Sequence, residues 1–277
     1  MNEEGNRKRD GSQRVFSEAA PIYDRIGPPI FSHFGQRLVD VSEISLGANV
    51  LDVAAGRGAV LFPAAAKVGS SGHVIGIDFT AAMVRETAKE IASRKIANAE
   101  IRQMDAEQME FNEAAFDCVT CGFALWMFAE PAPVLQEFGR VLRPGGQVGL
   151  STWAADNPAQ TWCHDALRPF VAAPASKLLA KDVRFDTPLQ LDTVLRQSGF
   201  TDIQITVEEM EFVYRSEEQY WSSLWSSGLR RQLDKMTANL LAQAKSEVMR
   251  KFQTFRQPDG FHKLSRALFA CAKKPTM

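Results

Sequence analysis

From residue 48 onward, short apolar runs bounded by glycine-rich turns alternate with amphipathic stretches. Residues 48–54 predict a strand that ends in a turn containing Gly56 and Gly58, and residues 60–68 predict a helix. After a turn at 69–72, residues 73–78 read as a second strand and 81–94 as a helix. A third strand follows at 99–104, a fourth at 116–123 and a helix at 134–142. Arg143, Pro144, Gly145 and Gly146 then make a turn into a fifth strand at 147–152. Strands of six to eight residues separated by stretches of helical period imply βαβ units and a parallel sheet with helices on both faces.

The rhythm breaks after Trp153. Residues 154–189 are loop-rich and partly helical, 189–197 a helix ending at Gly199, and 202–214 strand-like. Residues 216–256 read as helical, and a last strand is expected at 266–272. The expected organisation is an N-terminal helical lid (1–44), a ligand-binding core (45–153) and a pocket-lining segment (154–189). The rest of the sheet comes from 190–214 and 263–277, with a helical cap inserted at 215–262.

Composition narrows the partners. The chain has 277 residues, 45% of them apolar, and a formal net charge of −1, so it carries no global basic field for nucleic acid or acidic lipid. The basic run Arg7-Lys8-Arg9 is diluted by Glu3, Glu4 and Asp10 and reads as a solvated tail. No apolar run approaches the roughly 20 residues that span a bilayer, and no signal-peptide core opens the chain, so a cytoplasmic protein is expected. Cys118 and Cys121 are spaced like a redox or zinc pair. Residues three apart on a strand point to opposite faces, however, so both read as buried structural thiols.

The chemistry concentrates at the carboxyl ends of the first strands. Asp52, Ala54, Gly56 and Gly58 form a strand-to-helix turn whose missing side chains let a ligand approach the backbone. A dinucleotide fingerprint needs a small third residue for close helix packing, and Leu61 stands there instead. Asp52 also suits a cationic ligand better than pyrophosphate. Asp78 ends the second strand twenty residues past Gly58, where a carboxylate can accept both hydroxyls of a ribose; its other reading is a helix N-terminal charge. Phe79 and Met83 would then wall an adenine. Asp105, after the third strand, could accept from the adenine amine or stand as a solvated loop carboxylate. Gly122 and Phe123 arrive at the same rim.

The ordered stretches LDVAAGRG, VIGIDFT, QMDAE, FDCVTCGFAL and EFGRVLRPGGQV resemble the motifs of class I S-adenosylmethionine-dependent methyltransferases. The resemblance covers about residues 15–153 and is nearest to the ubiquinone/menaquinone C-methyltransferase-like group, which includes natural-product enzymes. It implies a Rossmann-like seven-stranded sheet with the last strand antiparallel, and S-adenosyl-L-methionine as cofactor. It further implies that the Gly turn meets the methionine carboxyl end, that Asp78 binds ribose and that Asp105 and Ala106 meet adenine. Ala54 stands where the family often has glycine. The segment from Phe16 to Asp24 resembles the group's entry segment, so Tyr23 either closes over the cofactor and assists catalysis or is a packing residue.

Methyl transfer is an in-line displacement that asks the protein for alignment, desolvation and sometimes a base. It needs no metal, and none is expected. His164 is the candidate base or an ordinary helix-surface residue. Trp126, Trp153 and Trp225, with His164, are the candidate acceptor contacts, and their flat apolar side chains suggest an aromatic or isoprenoid small molecule methylated at carbon or oxygen. Trp221 and Trp225 are also spaced for helix packing, and Arg230-Arg231 reads as a solvated face or an anion contact. A pathway cyclase that keeps the cofactor without transferring methyl is the alternative, a nicotinamide dehydrogenase is disfavoured by Leu61, and a homo-oligomer is an open expectation.

Overall fold

A computed structural model describes residues 3–128, 130–171 and 185–276, with side chains from residue 11 onward. Part of the expected pocket-lining segment, 172–184, lies outside the described residues, and so do the side chains of Arg7, Lys8 and Arg9. The strands are β1 (Asn49–Val53), β2 (His73–Asp78), β3 (Ala99–Gln103), β4 (Phe116–Gly122), β5 (Leu142–Trp153), β6 (Thr201–Tyr214), the two-residue β7 (Arg256–Gln257) and β8 (Gly260–Lys273). Their order is β3-β2-β1-β4-β5-β8-β6, with β7 paired to β8. Strands β1 to β5 run parallel, and β8 is antiparallel to both neighbours. The doubly wound α/β reading with an antiparallel last strand holds.

Helices α1 (Glu3–Ala19) and α2 (Ile30–Val41) precede the sheet; α3 (Leu61–Val68), α4 (Ala81–Ser93) and α5 (Pro131–Val141) follow β1, β2 and β4. α6 (Pro158–Leu167) and α7 (Pro188–Gln197) lie between β5 and β6, and α8 (Glu217–Leu224), α9 (Arg230–Leu233) and α10 (Ala238–Phe252) between β6 and β7. Leu51, Val119 and Leu150 bury one sheet face against Val134, Phe138 and Leu195 of α5 and α7. Val50, Cys118 and Phe269 bury the other against Phe34, Leu38 and Leu61 of α2 and α3. Central parallel strands are covered on both faces, which is why β1 and β4 read as continuous apolar runs. A third cluster joins α6, α8 and α10 through Tyr220, Leu224, Phe252 and Phe261. Among the described residues no helix is long and apolar enough to cross a membrane.

Three boundaries differ from the sequence reading. β5 begins at Leu142, because the expected turn at 143–146 is a bulge: pairing with β4 jumps from Phe116↔Leu142 to Cys118↔Gln147. The helical stretch 216–256 resolves into three helices. β8 starts at Gly260 rather than Arg266, since Lys263 and Ser265 occupy buried inward positions and break the apolar alternation that reveals a strand. Leu61, the residue that disfavoured a dinucleotide, packs over Gly76 of β2, where an added Cβ would lie 2.4 Å from Leu61 Cδ1. The close helix–strand approach is thus supplied by a glycine on the neighbouring strand.

Candidate active site

One cavity opens at the carboxyl ends of β1, β2 and β4 and collects residues far apart in sequence. Tyr23, Asp52, Ala54, Gly56, Asp78, Phe79, Met83, Asp105, Ala106 and Phe123 all line it. This is the crevice where open α/β sheets bind ligands. Three lining residues, Asp24, Ala54 and Phe123, hold positive φ of 55°, 56° and 54° without being glycine. Such strain persists where surrounding structure enforces it, often at ligand sites. Gly58 belongs to the turn but not to the wall; its φ is 81°, and an added Cβ would strike the Phe62 ring at 2.5 Å.

Asp78 ties the turn to the second strand. Its Oδ2 accepts from the Gly56 amide at 2.9 Å and its Oδ1 from the Thr80 amide at 2.7 Å. Burial raises its pKa above the ordinary carboxylate range, while those two amides pull it back. Asp52 lies beneath. Its Oδ1 accepts from the Thr120 hydroxyl at 3.0 Å across the β1–β4 pair, and its buried Oδ2 has no partner. Burial pushes this carboxyl up to about 7, with the charge of nearby Asp78 adding to the shift. Asp105 turns its loop by accepting from the Glu107 amide at 3.0 Å.

The N-terminal segment closes one side. Tyr23 stacks on Phe31 at 5.1 Å between centroids and meets Phe16 edge-on at 6.0 Å. Burial, then the charges of Asp24 and Asp78, raise the Tyr23 hydroxyl well above its usual range, so it stays protonated. Asp24 accepts from the amides of Phe31 and Ser32 at 3.1 and 2.8 Å, and so caps α2, whose own N-cap residue Pro29 offers no side chain. Arg57 joins segment to turn: it donates to the Ala20 carbonyl at 2.5 Å and pairs with Glu90 at 3.2 Å, leaving its Nε buried without an acceptor.

The sheet topology, the glycine turn and a family comparison agree. A methyltransferase-domain family model matches residues 44–199. The chain is 34% identical to nocamycin O-methyltransferase of Saccharothrix syringae, over 78% of this chain and 81% of that one. It belongs to the methyltransferase family. Aklanonic acid methyltransferase DauC of a Streptomyces species is 38% identical over 50% of this chain and 63% of its own length. Demethylmenaquinone methyltransferase of Listeria monocytogenes is 29% identical over 67% and 81%. In fold, phosphoethanolamine N-methyltransferase 2 of Haemonchus contortus, solved with S-adenosyl-L-methionine, matches with a TM-score of 0.57 at 19% identity, covering 94% of this chain and 56% of that one.

The cavity of the methyltransferase fits S-adenosyl-L-methionine, the cofactor that the sequence motifs imply. The unpartnered Oδ2 of Asp52 is an acceptor awaiting a cation, the unpartnered Nε of Arg57 a donor awaiting an anion, and both line the wall. The sequence-nominated acceptor contacts are not gathered here. Trp153 stands behind Phe123 at 4.4 Å between centroids, outside the wall, and Trp126 packs against the apolar cluster under β4 and β5. His164 lies on α6 and Trp225 at the end of α8, both away from the cavity wall. Arg230 and Arg231 of the methyltransferase are not a solvated face: Arg230 pairs with Glu18 at 2.9 Å and Arg231 donates to the Ser12 hydroxyl at 2.7 Å. Sequence reasoning missed Arg57, Phe31, Thr120 and Phe128. Thr120 had a signal in its position opposite Asp52 in adjoining strands; the other three had none.

Proposed function

We propose that this methyltransferase transfers methyl to an oxygen of a small, flat, hydrophobic acceptor in natural-product metabolism. The observation that carries the reading is the division of one cavity into an acidic floor, Asp52 and Asp78, and an aromatic mouth, Phe16, Phe31, Phe123 and Phe128. When bound, the cofactor supplies an electrophilic methyl group on a sulfonium. Asp78 would accept from the ribose hydroxyls, with Phe79 and Met83 against the adenine and Asp105 and Ala106 at its edge. Asp52 would answer the cationic end, and the Ala54–Gly58 turn would leave backbone open to the methionine part. Tyr23, held protonated, would donate from above and help exclude water.

In this reading the residues 1–44 form a lid and α8 to α10 a cap over the acceptor end. An acceptor oxygen that arrives ionised needs no protein base, so alignment and desolvation carry the rate. Oxygen as the target is supported by the relative named as an O-methyltransferase. A ring-bearing acceptor is supported by the aromatic mouth. Incubation of the full chain with trideuteromethyl-labelled cofactor and a panel of hydroxylated and carboxylated aromatics tests it. Label in product is expected; substrate consumed without label would instead favour a cyclase.

A further inference from the structure

Arg57 sits between the two glycines of the turn, on a backbone pinned at both sides. The Gly56 amide donates to Asp78 at 2.9 Å, the Gly56 carbonyl accepts from the Thr87 hydroxyl at 2.7 Å, and the Gly58 amide donates to the Ala55 carbonyl at 2.8 Å. Arg57 lines the cavity, with 11% of its side chain exposed. A guanidinium brings five N–H donors. The protein takes one for the Ala20 carbonyl at 2.5 Å and one for Glu90 at 3.2 Å, and the buried Nε has no acceptor among the described residues. Buried donors left unmet are costly, and those at a cavity wall point to a ligand.

Charge says which ligand group that is. The Glu90 carboxylate is shared by Arg25, Arg57 and Arg94, so one negative charge answers three guanidiniums. Glu86, one turn earlier on α4, is paired with Lys89. Arg25 and Arg57 both line the cavity, which leaves this side of the glycine turn with a positive surplus. Asp52, at the strand end before the same turn, has the opposite defect: a buried carboxylate oxygen with no donor. One turn thus presents an unmet acceptor and an unmet donor to one cavity. An ammonium and a carboxylate on the same carbon answer both, and a guanidinium is the side chain best shaped for the carboxylate. The same guanidinium holds Ala20, the residue after α1, and α1 carries Phe16 into the aromatic mouth.

We propose that Arg57 binds the α-carboxylate of the cofactor and, through its hold on Ala20, makes ordering of the N-terminal segment depend on that carboxylate. The acceptor's mouth is then completed after the cofactor is in place. The proposal rests on the methyl-transfer reading above. The test is calorimetric titration of the full chain with S-adenosylhomocysteine and with its decarboxylated analogue, S-adenosyl-3-thiopropylamine, which keeps the adenosine, the thioether and the amine. Wild type should bind the carboxylate-bearing ligand about tenfold tighter or more, the effect of a hydrogen bond to a charged group. Arg57→Gln should remove most of that preference and leave affinity for the decarboxylated analogue unchanged. Arg57→Lys, which keeps the charge without the fork, should show an intermediate preference and serves if Arg57→Gln does not fold. Hydrogen exchange supplies a readout that a merely structural arginine would not move. In wild type at equal saturation, S-adenosylhomocysteine should slow amide exchange over residues 12–24 and the decarboxylated analogue should not. Equal affinity of the two ligands, an unchanged preference in either variant, or equal slowing by both ligands would overturn the proposal. Failure of wild type to bind either ligand would instead overturn the underlying reading.

Discussion

Asp52 and Asp78 are two carboxylates within one wall, and their surroundings separate their tasks. Asp78 is held by two backbone amides, whereas Asp52 keeps a buried oxygen with no partner. Replacing Asp78 by Ala should weaken cofactor binding by about 1.5–3 kcal/mol, the range for hydrogen bonds to a charged group; titration of the variant with S-adenosylhomocysteine checks it. Asp52 makes a pH prediction. Burial raises its pKa to about 7, so the ligand-free protein gains stability from its proton at acid pH and loses that contribution as pH rises through about 7. A cationic ligand favours the ionised form, so S-adenosyl-L-methionine affinity should fall by up to about tenfold per pH unit below that value. Asp52→Asn should flatten both profiles; a slope that survives the substitution would assign it to another group. Ala54, at φ 56°, tests the turn itself. Ala54→Gly should relieve about 1–2 kcal/mol of left-handed strain and forfeit about 0.4–1 kcal/mol through the freer unfolded chain. Urea denaturation should therefore show a small net gain. The roles of Asp52, Asp78 and the turn were legible because each sits at a strand end marked by an apolar run and a glycine. Arg57 and Phe31 were not, because their contacts depend on how the N-terminal segment folds back, which local pattern does not encode.

At the scale of elements, the contact between α3 and β2 replaces one packing solution with another. Leu61 brings bulk where a dinucleotide-binding turn has a small residue, and Gly76 makes room for it. Gly76→Ala places a methyl 2.4 Å from Leu61 Cδ1 and should cost about 1–3 kcal/mol by overpacking. Combined with Leu61→Ala, the loss should be smaller than the sum of the two single losses, and chemical denaturation of the four proteins measures that coupling. The parallel strands were readable because each is buried on both faces. β8 was half hidden, since its inward positions include Lys263 and Ser265 beneath α6 and α8 rather than apolar residues beneath α2.

At the scale of the whole molecule, the N-terminal segment joins the glycine turn to the helices that follow β6. Arg57 reaches Ala20, Arg230 reaches Glu18 and Arg231 reaches Ser12. The Arg230 ion pair involves partly exposed side chains and should contribute no more than about 1 kcal/mol to global stability. Arg230→Ala should leave the melting temperature nearly unchanged and still speed amide exchange in α1, read by hydrogen-exchange mass spectrometry. Equal exchange in both proteins would mean that the segment is held by Tyr23 and Phe16 alone. The expected fold class was legible at this scale from the order of strands and helices; the bridging of its two ends by arginines was not, because an ion pair and a hydrogen bond between residues 212 and 219 positions apart leave no local trace. The central claim, that the cavity at the carboxyl ends of β1, β2 and β4 holds S-adenosyl-L-methionine, is tested most directly by calorimetric titration of the wild-type chain with that cofactor. A one-to-one isotherm that weakens at least tenfold in Asp78→Ala is the predicted result, and no binding at high-micromolar cofactor would contradict it.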